Sequence, residues 1–191
     1  DAVITTNYVS NFFGIDYFRL AEELDIVSLG SYPNNNPVLH NRGADGSFYQ
    51  QLAYGYKRKN YWMLEQQSGT PGATTLQPSP KPGDIGRWAA QTAGHGADVV
   101  LFFRWRTCRF GAEQYWHGIL PHWGETNRRL AEVREFCSHT AGLARGCDTT
   151  PDGSQDRVGE VTRPQAEVAI LFSFDNNWIF DIQPHIHNHT Y

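Results

Sequence analysis

Apolar and polar positions follow two rhythms along this chain. Tyr17, Leu20, Ala21 and Leu24 recur at i, i+3, i+4 and i+7, which is one face of a helix, and Asp16 stands before them as an N-cap. The β-branched and apolar run "DIVSLGSY" predicts a strand, broken by Pro33 and the three asparagines after it. Phe48, Leu52 and Tyr56 predict a second amphipathic helix, and "NYWMLE" a second strand. A loop rich in Gly, Pro and Ser then runs from Ser68 to Gly83, longer than most connections and often the mark of a functional segment. Ile85, Trp88, Ala89 and Thr92 predict a third helix, stopped by Gly94-His95-Gly96. "ADVVLFFRW" is the most strand-like segment, and after another loop Leu130, Val133 and Cys137 outline a longer helix ending near Gly142.

The order is α-β-α-β-α-β-α with near-continuous apolar strands. Such strands are buried on both faces, which implies a parallel sheet covered by helices. Doubly wound sheets and (β/α)8 barrels both fit. No G-x-G-x-x-G or G-x-x-x-x-G-K follows any of these strands, so a nucleotide-binding version has no support. In a barrel, chemistry sits at the C-terminal ends of the strands. Ser31-Tyr32, Glu65-Gln66-Gln67 and Arg104-Trp105-Arg106 stand there, one polar cluster per strand. From about Gly146 to Pro164 the composition shifts to Asp, Thr, Gly, Ser and Arg, as in an interdomain linker. That divides the chain into a domain over 1–145, a linker over 146–164, and the start of a second α/β domain over 165–191, opened by a predicted strand "AEVAILFSF".

Composition narrows the function. With 40% hydrophobic and 19% charged residues the chain is expected to fold rather than stay disordered. A net charge of −4 without a basic block disfavours a nucleic-acid partner, and no run approaches the ~20 apolar residues of a membrane span. Cys108, Cys137 and Cys147 are odd in number and lack C-x-x-C spacing, which argues against a zinc ribbon or disulfide framework and for reduced thiols in a cytoplasmic protein. A first residue of Asp1 and a last stretch of "HIHNHTY" read as a piece of a longer polypeptide, so the lack of a signal peptide carries no weight.

Aromatics are high, at 14% with six Trp. Most belong in the core, but aromatic planes also grip sugars. Glu65 ends an apolar strand, and Glu113 lies beyond the next one beside Tyr115, Trp116 and His117. Glu113 alone reads as a solvated loop residue, and a plain surface carboxylate is the lesser reading of Glu65; together, on loops at one barrel face lined by Trp and Tyr, they suggest a carbohydrate pocket. His185, His187 and His189 alternate and on a strand would share a face that could hold a metal, though a polar tail is the plainer reading.

Four segments resemble, in order and spacing, the second half of the catalytic barrel of glycoside hydrolase family 42 β-galactosidases. They are "DYFRLAEELDIVSLGSYP", "YWMLEQQSG", "PKPGDIGRWAAQTAGHGADVVLFFRWR" and "GAEQYWHGILPH". "VAILFSFDNNWIFDIQP" resembles the start of that family's second domain. The resemblance implies an α/β fold, the second half of a (β/α)8 TIM barrel followed by the beginning of an α/β trimerisation domain. It also implies a retaining β-galactosidase acting by double displacement, with Glu65 as nucleophile. Tyr32 then matches a tyrosine lining the sugar subsite, and Glu113 a glutamate that binds galactose hydroxyls. Some members carry a sugar-binding histidine three residues after that glutamate; here Trp116 holds the place and His117 follows, so both are candidates. Many members have Trp eight residues after the nucleophile, where this chain has Ala73. The family's acid/base glutamate, preceded by Asn, and its zinc-binding cysteines are expected in the preceding half, so no metal or cofactor is expected here. The implied partners are a galactoside and, in the full-length protein, two further copies of itself; no nucleic acid or membrane partner is expected. A non-catalytic carbohydrate-binding relative and a metal-dependent barrel hydrolase using the terminal histidines remain as alternatives. Lactose, a galactan fragment and an arabinopyranoside are equally compatible substrates.

Overall fold

A computed structural model of the chain describes residues 2–10, 12–35, 42–73, 77–144 and 166–183. Its elements are β1 (Asn7–Val9), α1 (Tyr17–Glu22), β2 (Ser28–Ser31), α2 (Arg42–Lys57), β3 (Tyr61–Gln67), α3 (Asp84–Gly94), β4 (Ala97–Phe103), α4 (Arg128–Ala144) and α5 (Phe174–Ile182). The predicted alternation is present from α1 to α4, with one strand added in front. Asp16 caps α1 as expected, its Oδ1 accepting from the backbone N–H of Phe18 at 2.9 Å and of Arg19 at 3.3 Å. Gly83 precedes α3 at φ +85°, a left-handed conformation that a side chain resists.

The four strands form one sheet in the order β1-β2-β3-β4, and every pairing is parallel. A doubly wound sheet reverses direction at a switch point; a barrel adds each strand beside the last. The sequential order matches part of a barrel. Helices lie on one face: Tyr8, Val27, Leu29, Tyr61 and Met63 pack with Tyr17 and Ala21 of α1 and Ala53 of α2. Phe102 joins a second cluster of Ile85 and Trp88 from α3 with Leu130 and Val133 from α4. Val9 and Leu101, whose neighbours Tyr8, Val100 and Phe102 pack toward the helices, are half exposed at 56% and 50%.

The run "AEVAILFSF" departs from expectation. Among the described residues it pairs with no strand; Val168, Ile170 and Leu171 are exposed, and Ser173 caps α5 instead by accepting from the N–H of Asn176. A strand needs a neighbour's N–H and C=O groups, and β-propensity does not supply them. Phe172 and Phe174 instead join an aromatic cluster with Phe13, Tyr17 and Phe18, and Trp178 Nε1 donates to the carbonyl of Phe13 at 2.7 Å. The expected linker, Cys147 and the terminal histidines lie outside the described residues. No described helix is long and apolar enough to cross a membrane.

Candidate active site at the strand ends

Strict alternation from Tyr61 would put Tyr61, Met63 and Glu65 on one face. Tyr61 and Met63 are fully buried toward the helices, and the Tyr61 hydroxyl donates to the carbonyl of Thr92 on α3. A carboxylate on that face would be buried in the core. The register shows why it is not. Leu29 faces Met63 but Gly30 faces Glu65, and Met63 faces Val100 but Gln66 faces Phe102, so β3 carries one extra residue against both neighbours. This bulge swaps the faces beyond it. Gln66 now points to the helices, its Oε1 accepting from Thr92 Oγ1 at 3.0 Å. Glu65 turns to the open face; a Cβ built on Gly30 would stand 3.6 Å from the Glu65 Cβ.

Tyr32, two residues beyond Gly30 and on the same side, donates its hydroxyl to Glu65 Oε2 at 2.7 Å. Burial, then the hydrogen bond to Glu65 and the charges of Glu65 and Glu113, push the Tyr32 phenol far above its ordinary range, against a smaller opposing effect of Arg104. It stays protonated and remains a donor. The Tyr32 ring stands edge-on to Trp116, with centroids 4.9 Å apart, and to Phe103 at 6.4 Å; Phe103 and Trp116 are 6.3 Å apart. Trp116 and Phe103 thus pack edge-on around Tyr32, the hydrogen-bond partner of Glu65.

Glu113 reaches the same neighbourhood through Arg104. Its Oε2 accepts from Arg104 Nη1 at 3.0 Å, and the guanidinium lies 5.0 Å above the Phe103 ring. His117 is placed differently from the other candidates. Its backbone N–H donates to the carbonyl of Thr70, and its ring meets His122 edge-on at 5.4 Å rather than Tyr32 or Trp116. Burial, the neighbouring His122 and Arg129 lower its pKa, which favours the neutral imidazole. Ala73, eight residues after Glu65, is exposed.

The residues that join these loops find their partners only in the fold. Ser68 Oγ donates to the carbonyl of Phe103 at 2.7 Å, tying the segment after Glu65 to the end of β4. Gln67 Oε1 accepts from the N–H of Asn34, and its Nε2 donates to the carbonyl of Gly69. A Cβ at Gly69 would fall 2.3 Å from the carbonyl oxygen of His117, and one at Gly72 would fall 2.7 Å from Trp116 Cδ1. Only glycine lets the two loops touch. In the sequence, Gln67 stands in the polar cluster after a strand and Ser68-Gly69 opens the long loop, which marks a turn but not its partner. Gly69→Ala is expected to separate the loops and lower stability by about 1–3 kcal/mol. Thermal unfolding checks this, and an unchanged midpoint would show that the loops part at no cost.

Among the described residues no group of three or more His, Cys, Asp or Glu could hold a metal ion. The family model for glycoside hydrolase family 42, described as beta-galactosidase, matches residues 1–143. The chain is 37% identical over 177 residues to the β-galactosidase BgaA of Clostridium cellulovorans, covering 90% of this chain and 24% of that protein. It is 31% identical over 193 residues to the β-galactosidase BgaH of Haloferax lucentense, covering 95% and 26%. The crystal structure of a β-galactosidase from the psychrophilic Marinomonas ef1 superposes with a TM-score of 0.83 at 26% identity, covering 99% of this chain and 30% of that one. A β-galactosidase from the haloarchaeon Halorubrum lacusprofundi gives 0.80 at 26% identity, covering 99% and 28%. The chain therefore spans between 24% and 30% of the length of these relatives. Matched by one family over most of its length and reproducing the strand order of a barrel, this chain belongs to glycoside hydrolase family 42.

Proposed function

We propose that this chain supplies the nucleophile-bearing part of a retaining β-galactosidase. The observation that carries the reading is the Tyr32–Glu65 hydrogen bond at the end of a bulged, buried strand. A protonated phenol on Oε2 orients the carboxylate and leaves Oε1 to approach an anomeric carbon. Attack of that oxygen on C1 forms a glycosyl ester as the C1–O bond to the aglycone breaks. The departing oxygen takes a proton from an acid contributed by the rest of the barrel. Water, giving a proton to that same group now acting as base, then attacks C1 from the face the aglycone left; the C1–Oε1 ester bond breaks, Glu65 returns to its carboxylate, and the second inversion restores the β configuration. Tyr32 and Trp116 offer rings to the sugar, and Glu113 offers a charged acceptor to its hydroxyls. The same reading places the complete enzyme in the cytoplasm as a homotrimer, with residues from 165 onward opening its second domain and His117 bordering the sugar.

The test is chemical. A 2-deoxy-2-fluorogalactoside with a good leaving group should trap the complete enzyme as an ester on the peptide containing Glu65. NMR should show β-galactose as the first product of an aryl β-galactoside. Label on another residue, or α-galactose as first product, would overturn the assignment.

A further inference from the structure

We infer that Arg104 is a positioning residue that presents Glu113 to the sugar, an inference that rests on the galactosidase reading of this site. Glu113 sits on a loop and its side chain is 55% exposed, whereas that of Arg104 is 24% exposed. An ion pair so open to water adds little to stability, so its use lies elsewhere. The backbone of Arg104 is held from two sides. Its carbonyl accepts from the N–H of Ile119 at 2.7 Å and from Ser68 Oγ at 3.4 Å, and a Cβ at Gly118 would come within 2.5 Å of it. Its guanidinium rests on the face of Phe103, one of the rings beside Tyr32. A cation seated on a held backbone and on the Phe103 ring therefore grips an exposed loop carboxylate.

The grip uses only Oε2 of Glu113. Among the described residues its Oε1 takes no hydrogen bond, and that oxygen is open to a ligand hydroxyl. Held in one rotamer, Glu113 meets the sugar without losing rotamer freedom on binding. Arg104 also carries positive charge into a site with two carboxylates, Glu65 and Glu113, whose charges both act on Tyr32. Arg104 thus needs no contact with substrate to matter, because it works through Glu113.

A double-mutant cycle in the complete enzyme separates this from a scaffold role. Arg104→Gln should raise KM for an aryl β-galactoside roughly tenfold and leave kcat within about threefold. Arg104→Lys, which keeps the charge and loses the planar fork, should recover part of the loss. In a Glu113→Ala background, Arg104→Gln should change kcat/KM by less than about threefold, because the carboxylate it would position is gone. Equal losses in both backgrounds would make Arg104 a direct contact or a structural residue and overturn the inference. An unchanged KM in Arg104→Gln, or a loss confined to kcat, would overturn it as well. A wild-type enzyme that releases no galactose would bring down the functional reading and this inference together; an active enzyme with additive losses would bring down only the role of Arg104.

Discussion

Glu65→Gln in the complete enzyme is expected to lower turnover of an aryl β-galactoside by about 10³-fold or more, at least ~4 kcal/mol of barrier stabilisation. An amide oxygen is a poor nucleophile and cannot form the glycosyl ester that the reading requires. The substitution is nearly isosteric, and Tyr32 can donate to the amide oxygen as it does to Oε2. The bulge in β3 is set by backbone register with β2 and β4, so it does not depend on the charge at position 65. Fold and stability should therefore survive while chemistry is lost. Steady-state kinetics beside a thermal unfolding curve make the check. Retention of more than about a tenth of the activity, a change of only ~1.4 kcal/mol, would remove Glu65 from the nucleophile's role.

Loss of Glu113 should act on recognition rather than on bond making. Glu113→Ala is expected to cut kcat/KM by about 10²-fold, on the order of 3 kcal/mol, because a sugar hydroxyl loses a charged acceptor. The carboxylate meets Arg104 on Oε2, which leaves Oε1 as the atom that would accept from the ligand. The penalty should shrink for the deoxygalactoside lacking the hydroxyl that Glu113 binds, since the mutant then has less to lose. Comparing wild type and mutant across galactoside and deoxygalactoside pairs locates that hydroxyl. Losses that add for every hydroxyl would assign Glu113 a structural role.

What could be read directly from the chain was whatever short-range chemistry sets. The i, i+3, i+4, i+7 spacing and the Asp16 cap specify α1 over a few residues, because a helix closes its hydrogen bonds locally. The apolar runs before Tyr32 and Arg104 likewise located the ends of β2 and β4, that of β3 fell two residues short of Gln67, and the four ordered segments around them were enough to indicate the family. Strands obey a different rule, since their partners lie far along the chain. β1 has only three residues, with Tyr8 alone buried, so it carries no periodicity of its own and exists through its ladder to β2. The run over 166–174 has strand-forming composition and, among the described residues, no ladder, and its end turns into α5. Glu65 shows the same division. Its identity and its place at a strand end were plain in "YWMLEQQSG", but alternation alone assigns it to the buried face with Tyr61 and Met63. Pairing with Gly30 on one side and the step from Val100 to Phe102 on the other insert the bulge that turns it outward to Tyr32. The contacts of Gly69 with His117, Ser68 with Phe103 and Arg104 with Glu113 join separate loops in the same way. The residue types proposed for the chemistry were written in the chain; the face they occupy and the neighbours they meet were decided by strand register and loop packing, which are set between segments and not within them.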